Sequence, residues 1–229
     1  KQAKILHFEI DPAEVNKNVE VDIAVLGNIK ETLPELIKIV KNKSHDKWVN
    51  KFKSFYDIEF NKVINNDLFP TKDGLTMGEV IKEINNSTKG DAVIVTDVGQ
   101  HQMVACRYAK FNHSKSNITS GGLGTMGFAL PAAIGVQIAK PKNKTVSIMG
   151  DGSFGFAVGE LETALRLKLP IIFIVISNSV YGWIKAGQKT KFDKRYFSVD
   201  FTRTDHFKVA AAFGLKSWKV EKPGDCLLY

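Results

Sequence analysis

Cysteine is scarce in this sequence, with only Cys106 and Cys226 among 229 residues. Neither lies in a CxxC pair or near clustered histidines, so we expect neither a disulfide framework nor a structural zinc site. No apolar run approaches the roughly 20 residues that a membrane-spanning helix needs. The N-terminal segment also lacks the apolar core and the small-residue cleavage site of a secretory signal. These absences predict a cytoplasmic protein with no membrane attachment.

The net charge of +8 comes from 32 Lys and Arg residues against 24 Asp and Glu residues. An excess of basic residues can indicate a nucleic-acid partner. Here the lysines are spread along the chain, and their densest region, residues 37–53, has the pattern of a solvated helical face. We therefore expect no nucleic-acid partner.

From residue 90 onward, apolar segments alternate with helical ones. Strands are predicted in "DAVIVTDVG", "KTVSIMGDG" and "PIIFIVISN". A glycine turn that opens into a helix is predicted in "GLGTMGFALPAAIGVQIAKP", a second helix in "GFAVGELETALRLK", and a last helix and strand in "TRTDHFKVAAAFGLKSWKVEKP". Strands that are apolar throughout indicate a parallel sheet covered by helices on both faces. The predicted fold is therefore α/β, a doubly wound parallel sheet, in which ligands bind at the carboxyl ends of the strands.

The first part of the chain predicts only two strands, "KILHFEIDP" and "VDIAVLG", and one helix, "IKETLPELIKIVKN". These are too few for a complete sheet, so residues 1–45 are interpreted as the end of a preceding α/β domain. Residues 46–75 are predicted to be a helical connector, "HDKWVNKFKSFYDIEFNKV", followed by a loop, "NNDLFPTKDG". Residues 76–229 form the main domain, and we expect it to be truncated at its C-terminus because a doubly wound domain usually continues further.

Two segments match the pattern G-x-G-x-x-G, residues 122–127 and 150–155. The second lies between a predicted strand and a predicted helix, which is the context of a dinucleotide site. However, a carboxylate at Asp151 would repel a pyrophosphate at the N-terminus of that helix. The next strand also ends in Ser177, Asn178 and Ser179, where such a site needs an acid for the ribose.

A divalent cation explains both features. Asn178 follows Asp151 by 27 residues, which is one helix and one strand, so the two turns should lie side by side. Magnesium prefers oxygen ligands and is often held by one or two carboxylates and by phosphates. The alternative is that Asp151 is a helix N-cap and Asn178 a turn former. The combination and its context favour a metal that holds a diphosphate.

These motifs resemble the thiamine-diphosphate enzymes, and most closely the acetolactate synthase (acetohydroxyacid synthase) large catalytic subunit. The resemblance covers nearly the whole chain and is carried by "LHFEIDPAEVNKN", "TDVGQHQM", "TSGGLGTMGFALPAAIGVQIAKP", "GDGSF" and "GELETAL". The family chain is more than twice as long. The resemblance therefore implies that residues 76–229 are most of a diphosphate-binding domain with the thiamine-diphosphate-binding fold.

The resemblance also implies the roles of individual residues. The residues that would contact the cofactor are Val98, Gly99, Gln100, His101, Gly124, Met126, Gly150, Gly152 and Ser153. Met126 would be the apolar residue that bends the cofactor, and the metal ligands would be Asp151, Asn178 and the main-chain carbonyl of Val180. His101 as a surface-loop histidine and Met126 as a core methionine are the alternative interpretations.

The activity implied is a thiamine-diphosphate- and magnesium-dependent decarboxylation of pyruvate or another small 2-oxo acid, with carboligation to a second 2-oxo acid, as in branched-chain amino acid biosynthesis. The activating glutamate of the family comes from the N-terminal domain of a neighbouring subunit. We therefore expect no catalytic residue in this chain and no activity from it alone. The resemblance further implies a homodimer or tetramer and allows a small regulatory subunit.

Three departures from the family pattern affect the substrate pocket. Ser177 replaces an asparagine, Trp183 takes a methionine position and Gly187 takes the position of a pocket tryptophan. The identity of both substrates therefore stays open, and another thiamine-diphosphate decarboxylase or oxidase of 2-oxo acids is the first alternative. A non-catalytic nucleotide-binding module is a remote one. The family's FAD would lie near residues 9–28, but Asn28 stands where an acid is common, so FAD binding is left open.

Overall fold

The computed structural model describes residues 3–71, 74–223 and 225. The chain divides into two compact units, residues 1–56 and residues 57–229. The division lies within the predicted connector of residues 46–75. The three-part division made from the sequence stays a prediction.

The first unit contains the two strands and the helix that the sequence predicts. Strands β1 (Leu6–Glu9) and β2 (Ile23–Leu26) pair in parallel, with Leu6 opposite Ile23. A short 3-10 turn, Pro12–Glu14, follows β1 and is capped by the Asp11 side chain. Helix α1 (Ile29–Ile39) begins after Asn28, whose side chain accepts a hydrogen bond from the Lys30 N–H.

The predicted helical connector is present as α2 (Asp46–Glu59), and a π-helical turn, Phe60–Ile64, continues it. The chain then forms a short helix, α3 (Asn65–Leu68), so the predicted loop is wrong over these four residues. The reason is that the π-helical turn leads into α3 without a break, since the Asn65 N–H donates to the Phe60 carbonyl. The adjacent asparagines resemble turn formers, but here the Asn66 amide donates to the Lys62 carbonyl within the helical segment.

The second unit is built on one sheet of four strands among the described residues, all parallel and in the order β4-β3-β5-β6. Its elements after α3 are α4 (Met77–Thr88), β3 (Val93–Thr96), α5 (Gln100–Tyr108), β4 (Asn117–Thr119), α6 (Ala129–Ala139), β5 (Thr145–Gly150), α7 (Asp151–Ala157), α8 (Glu160–Arg166), β6 (Ile171–Ile176), α9 (Gly182–Lys191) and α10 (His206–Ala212). The predicted α/β class with a parallel sheet is confirmed.

Two apolar clusters cover the two faces of this sheet. Val93 and Val95 of β3 lie in one cluster together with Leu130 of α6. Ile94, between them in sequence, lies in the other cluster with Ile81 of α4. Successive side chains of a strand point to opposite faces, so a strand buried on both faces is apolar at most positions. This explains the near-continuous apolar runs in the sequence, in which Thr145 and Ser147 of β5 are buried polar exceptions.

Several elements differ from the sequence prediction. Helix α5 and strand β4 were not predicted, because α5 begins with polar residues and β4 has only three residues. The predicted helix over residues 155–168 is two helices, α7 and α8, with α7 beginning already at Asp151. The strand predicted after α10 is not formed within the described residues. Residues such as Lys216 and Trp218 are exposed there, whereas a strand in a covered sheet is buried.

The order of the strands places a crevice at one edge of the sheet. From β3 the chain crosses to β4 on one side and then returns to β5 on the other side. The carboxyl ends of β3 and β5 therefore form a topological switch point, where doubly wound sheets bind ligands.

In the described part of the chain, no helix is long and apolar enough to cross a membrane.

Candidate functional site

Asp151 lies at the centre of the switch point, directly after β5, and is buried. Its Oδ2 atom accepts hydrogen bonds from the N–H groups of Asn178 (2.8 Å) and Ser179 (2.6 Å), which follow β6. Its Oδ1 atom accepts one from the Gly152 N–H at 2.9 Å. Because β5 and β6 are neighbours in the sheet, the two turns meet as the spacing of 27 residues predicts. Asp151 is the first residue of α7 and not its N-cap, which is Gly150.

Asn178 and Val180 form the other half of the predicted metal site. The Asn178 side chain is exposed, and its Oδ1 atom accepts a hydrogen bond from the Val180 N–H at 3.2 Å. Within residues 3–71, 74–223 and 225, no group of three His, Cys, Asp or Glu residues could hold a metal ion. A cation at this place would therefore rest on one carboxylate, an amide oxygen, a main-chain carbonyl and oxygens of a ligand. Magnesium accepts such a mixture.

His101 is buried between the turns that follow β3 and β5, and not on a surface loop. A Cβ atom at Gly99 would come within 2.9 Å of its Cε1 atom, and one at Gly150 within 3.2 Å. A side chain at Gly99 would therefore displace the imidazole ring, and one at Gly150 would be in tight contact with it. Its Nε2 atom has no hydrogen-bond partner among the described residues. Burial lowers the pKa of His101, and the nearby charges of Asp97 and Asp151 only partly oppose this.

Ser153 and Gly152 form the first turn of α7. Ser153 is buried, and its Oγ atom is a second polar atom without a hydrogen-bond partner in the described part of the chain. A Cβ atom at Gly152 would lie 2.5 Å from Cε1 of Tyr181, so this aromatic ring covers the glycine. The sequence analysis did not single out Tyr181. The signal available for it was its position directly after Asn178 and Val180, the predicted metal ligands.

The first glycine motif, residues 122–127, is a loop between β4 and α6, and we call it the glycine loop. Gly124 and Gly127 have φ angles of +65° and +84°, which glycine adopts most readily. A Cβ atom at Gly124 would lie 3.8 Å from Cγ1 of Val98, so the structure brings these two predicted cofactor contacts together. Met126 is half-buried in the same loop, which agrees with neither a fully buried core residue nor a fully exposed one.

Asp97 was missed by the sequence analysis, although it follows the apolar run of β3 directly. Only 1% of its surface is exposed. Its Oδ1 atom accepts hydrogen bonds from the N–H groups of Val98 (2.8 Å) and Gly127 (3.1 Å), and its Oδ2 atom accepts one from Ala129 (2.8 Å). This single carboxylate thus joins the end of β3 to the glycine loop. An acid that closes a buried strand was the signal available in the sequence.

Residues 181–199 follow the turn at Asn178, and we call this segment the excursion. Backbone hydrogen bonds join its two ends. The Tyr181 N–H donates to the Val199 carbonyl at 2.9 Å, and the Phe201 N–H donates to the Ser179 carbonyl at 3.0 Å. The enclosed residues carry α9, on which Trp183 is exposed and Gly187 has open space around it. The start of α9 packs against the site, because the Gln100 side chain occupies the place where a Cβ atom of Gly182 would lie.

These features together suit a ligand that is rich in oxygen. The buried Asp151 carboxylate, the unpaired buried Nε2 and Oγ atoms of His101 and Ser153, and the exposed Asn178 side chain lie near the carboxyl ends of adjacent strands. Unpaired polar atoms are costly in a protein interior, and a bound ligand can satisfy them. The donor set fits a magnesium ion with a diphosphate.

Comparison with known proteins identifies the kind of domain. The family described as thiamine pyrophosphate enzyme, C-terminal TPP binding domain, matches residues 97–227. The chain is 35% identical to the probable acetolactate synthase large subunit of Methanococcus aeolicus, over 97% of this chain and 39% of that protein. It is 34% identical to the mitochondrial acetolactate synthase catalytic subunit of Saccharomyces cerevisiae (strain ATCC 204508 / S288c), over 95% of this chain and 32% of that protein.

A third relative is the acetolactate synthase isozyme 3 large subunit of Escherichia coli (strain K12), which is 33% identical over 96% of this chain and 39% of its own length. The chain thus spans about two fifths or less of the length of these relatives. The family match covers more than half of the chain and includes every predicted site residue, from Val98 to Val180. The chain therefore belongs to the thiamine pyrophosphate enzymes and contains their C-terminal TPP-binding domain.

Proposed function

We propose that the protein containing this chain is an acetolactate synthase that depends on thiamine diphosphate and magnesium. It would decarboxylate pyruvate, or a similar 2-oxo acid, and join the product to a second 2-oxo acid, as in branched-chain amino acid biosynthesis. The observation that carries the proposal is the contact between Asp151 and the Asn178 turn at adjacent strand ends. Relatives named acetolactate synthase that align over nearly the whole chain support the choice of reaction.

The chain offers a place for each part of the cofactor. Asp151, Asn178 and the Val180 carbonyl would hold the magnesium ion. Residues 98–101 and residues 150–153 would contact the diphosphate, and the glycine loop would lie beside the aminopyrimidine. When bound, thiamine diphosphate supplies the electron sink for decarboxylation, and the protein supplies binding, orientation and electrostatics.

The residues of this chain bind and orient, and they do not move a proton of the substrate. The Gly152, Asn178 and Ser179 amides fix the direction of the Asp151 carboxylate. The lowered pKa of His101 keeps its imidazole neutral near pH 7, so its unpaired Nε2 atom is free to exchange a hydrogen bond with the ligand. Met126 provides an apolar wall on the glycine loop.

Other parts of the proposal concern the rest of the protein. The activating glutamate would come from a neighbouring subunit, so the active form would be a homodimer or a tetramer. Several relatives are named large subunits, and a small regulatory partner is accordingly part of the proposal. FAD binding stays an open part of the proposal. Asn28, which stands where an acid is common in the family, is the N-cap of α1.

The test is an assay of the full-length protein with thiamine diphosphate, magnesium and pyruvate, in which acetolactate and acetaldehyde are measured separately. Acetolactate is the expected product. Acetaldehyde alone would favour a 2-oxo acid decarboxylase, the alternative that the departures from the family pattern at Trp183 and Gly187 leave open. The absence of any turnover with pyruvate would overturn the proposed substrate, and an absence of cofactor binding would overturn the proposed class of reaction.

A further inference from the structure

The buried carboxylate of Asp97 connects two segments that are 30 residues apart in the sequence. One is the turn after β3, which begins with Val98 and leads to His101. The other is the end of the glycine loop, at Gly127, together with Ala129 at the start of α6. Under the proposed function, the first segment faces the diphosphate and the second faces the aminopyrimidine. Asp97 therefore lies between the parts of the site that would hold the two ends of the cofactor.

These hydrogen bonds hold the end of the glycine loop against the carboxyl end of β3. Gly127 adopts a φ of +84°, and a Cβ atom there would approach Cβ of Phe156 within 3.1 Å, so the loop is already close to α7 on one side. The Asp97 bonds hold it on the other side. Met126, the residue before Gly127, can then occupy only a narrow range of positions.

We propose that Asp97 is a positioning residue that sets the distance between the glycine loop and the turn after β3, and thereby the fit of the thiamine end of the cofactor. This inference rests on the proposed function. Asp97 itself would touch neither the cofactor nor the substrate. Its effect would pass through Val98, Gly124 and Met126.

Asparagine cannot replace Asp97 in this role. All three groups that face the carboxylate are N–H donors, and they are shared between both oxygens. An asparagine would present a carbonyl oxygen to one side and an NH2 group to the other, so at least one donor would face another donor. The loop would have to shift to relieve this contact.

The experiment uses Asp97→Asn in the full-length protein and compares two ligands by isothermal titration calorimetry. Thiamine diphosphate with magnesium probes the whole site, whereas inorganic pyrophosphate with magnesium probes the end near Asp151 and Asn178. We expect the affinity for thiamine diphosphate to fall tenfold or more and the affinity for pyrophosphate to change less than threefold. The control is Asp91→Asn, an exposed acid just before β3, whose Oδ1 atom contacts the exposed side chains of Asn112 and His113.

A second variant, Asp97→Ser, can still accept one N–H and is measured in the same way if Asp97→Asn does not fold. The positioning role would be wrong if the ratio of the two affinities stays at its wild-type value, whether both affinities fall equally or neither changes. If the wild-type protein binds no thiamine diphosphate, the proposed function falls and this inference falls with it. If the wild-type protein binds it and only the ratio fails to change, the inference about Asp97 alone is wrong.

Discussion

Asp151 shows how one buried carboxylate can serve the fold and the site together. Its hydrogen bonds with three backbone N–H groups mean that an alanine would leave buried donors unpaired, each at a cost of about 1–3 kcal/mol. A lower cofactor affinity in Asp151→Ala could thus result either from loss of the metal ligand or from loss of the folded structure. Asparagine is the sharper substitution, because its amide oxygen still accepts from the Asn178 and Ser179 N–H groups, so the loss of the negative charge leaves only the Gly152 N–H facing an NH2 group.

We predict that Asp151→Asn lowers the magnesium-dependent affinity for thiamine diphosphate at least 100-fold while the protein stays folded. The physical reason is that a neutral amide is a much weaker ligand for a magnesium ion than a carboxylate. Calorimetric titration of the full-length variant measures the affinity, and circular dichroism verifies the fold. Asp193→Asn, at an exposed turn after α9, is the matched control. Wild-type affinity in Asp151→Asn would rule out Asp151 as a metal ligand.

His101 should make the stability of the protein sensitive to mild acid. Its pKa in the folded state lies below the usual value of 6.5, because burial disfavours the charged imidazole. The unfolded chain then binds more protons than the folded chain between these two pKa values. Stability is full above pH 6.5 and is lost as the pH falls below it, by about 1.4 kcal/mol for each tenfold difference in proton affinity.

We predict that the melting temperature falls between pH 7.5 and pH 5.5, and that the fall is smaller in His101→Gln. Differential scanning fluorimetry at both pH values provides the measurement. His206 also has a pKa lowered by burial, so part of the dependence should persist in the variant. His45→Gln, at an exposed position, serves as the control substitution. An identical pH dependence in the wild type and His101→Gln would show that His101 does not contribute.

At the scale of the element, two glycines near α6 should respond in opposite ways to replacement by alanine. Gly127, just before the helix, combines a φ of +84° with a close approach to Phe156. Gly135 lies inside α6 with open space around it. A side chain at the first position is strained, whereas an alanine in a helix interior is favoured over glycine by roughly 0.5–1 kcal/mol.

We predict that Gly127→Ala destabilises the protein by about 1–2 kcal/mol and that Gly135→Ala stabilises it by about 0.5–1 kcal/mol. Urea denaturation of both variants gives the difference in the free energy of unfolding. The pair is its own control, since the same methyl group is added in each case. Equal effects of the two substitutions would contradict the assigned backbone strain at Gly127.

The elements that the sequence predicted well are those whose burial leaves a continuous apolar run. Strands β3 and β5 are of this kind, and β6 has an apolar run although it is only partly buried. The turns after these three strands contain most of the predicted site residues. Helix α5 and strand β4 escaped prediction because their signal is short and mixed with polar residues. Asp97 and Tyr181 escaped for a different reason, since their partners Gly127 and Gly152 are distant in sequence and only the fold brings them together.

For the whole molecule, the proposed metal and cofactor should bind as a linked pair. The Asp151 carboxylate would repel a diphosphate unless a cation lies between them. A ligand that binds only the folded state stabilises it by about 2.7 kcal/mol when its concentration is 100 times the dissociation constant. The melting temperature of the full-length protein should therefore report the pairing directly.

We predict that thiamine diphosphate raises the melting temperature of the full-length protein only when magnesium is present, and that a chelator reverses the increase. Magnesium alone should have a small effect, because it meets only one carboxylate in the proposed site. Thermal scans with each ligand and with both supply the comparison, and calcium in place of magnesium tests the choice of ion. Full stabilisation by thiamine diphosphate without any divalent cation would contradict the proposed linkage.

The excursion that carries α9 has a consequence for how such an enzyme could diversify. The two hydrogen bonds at its base, between residues 181 and 199 and between residues 179 and 201, close it independently of what it contains. Apart from the start of α9, where Gly182 lies against the Gln100 side chain, the residues between these hydrogen bonds can be exchanged, lengthened or shortened without moving the ends of β5 and β6. Selection could thus alter which substrates are accepted while the machinery for the cofactor is inherited unchanged.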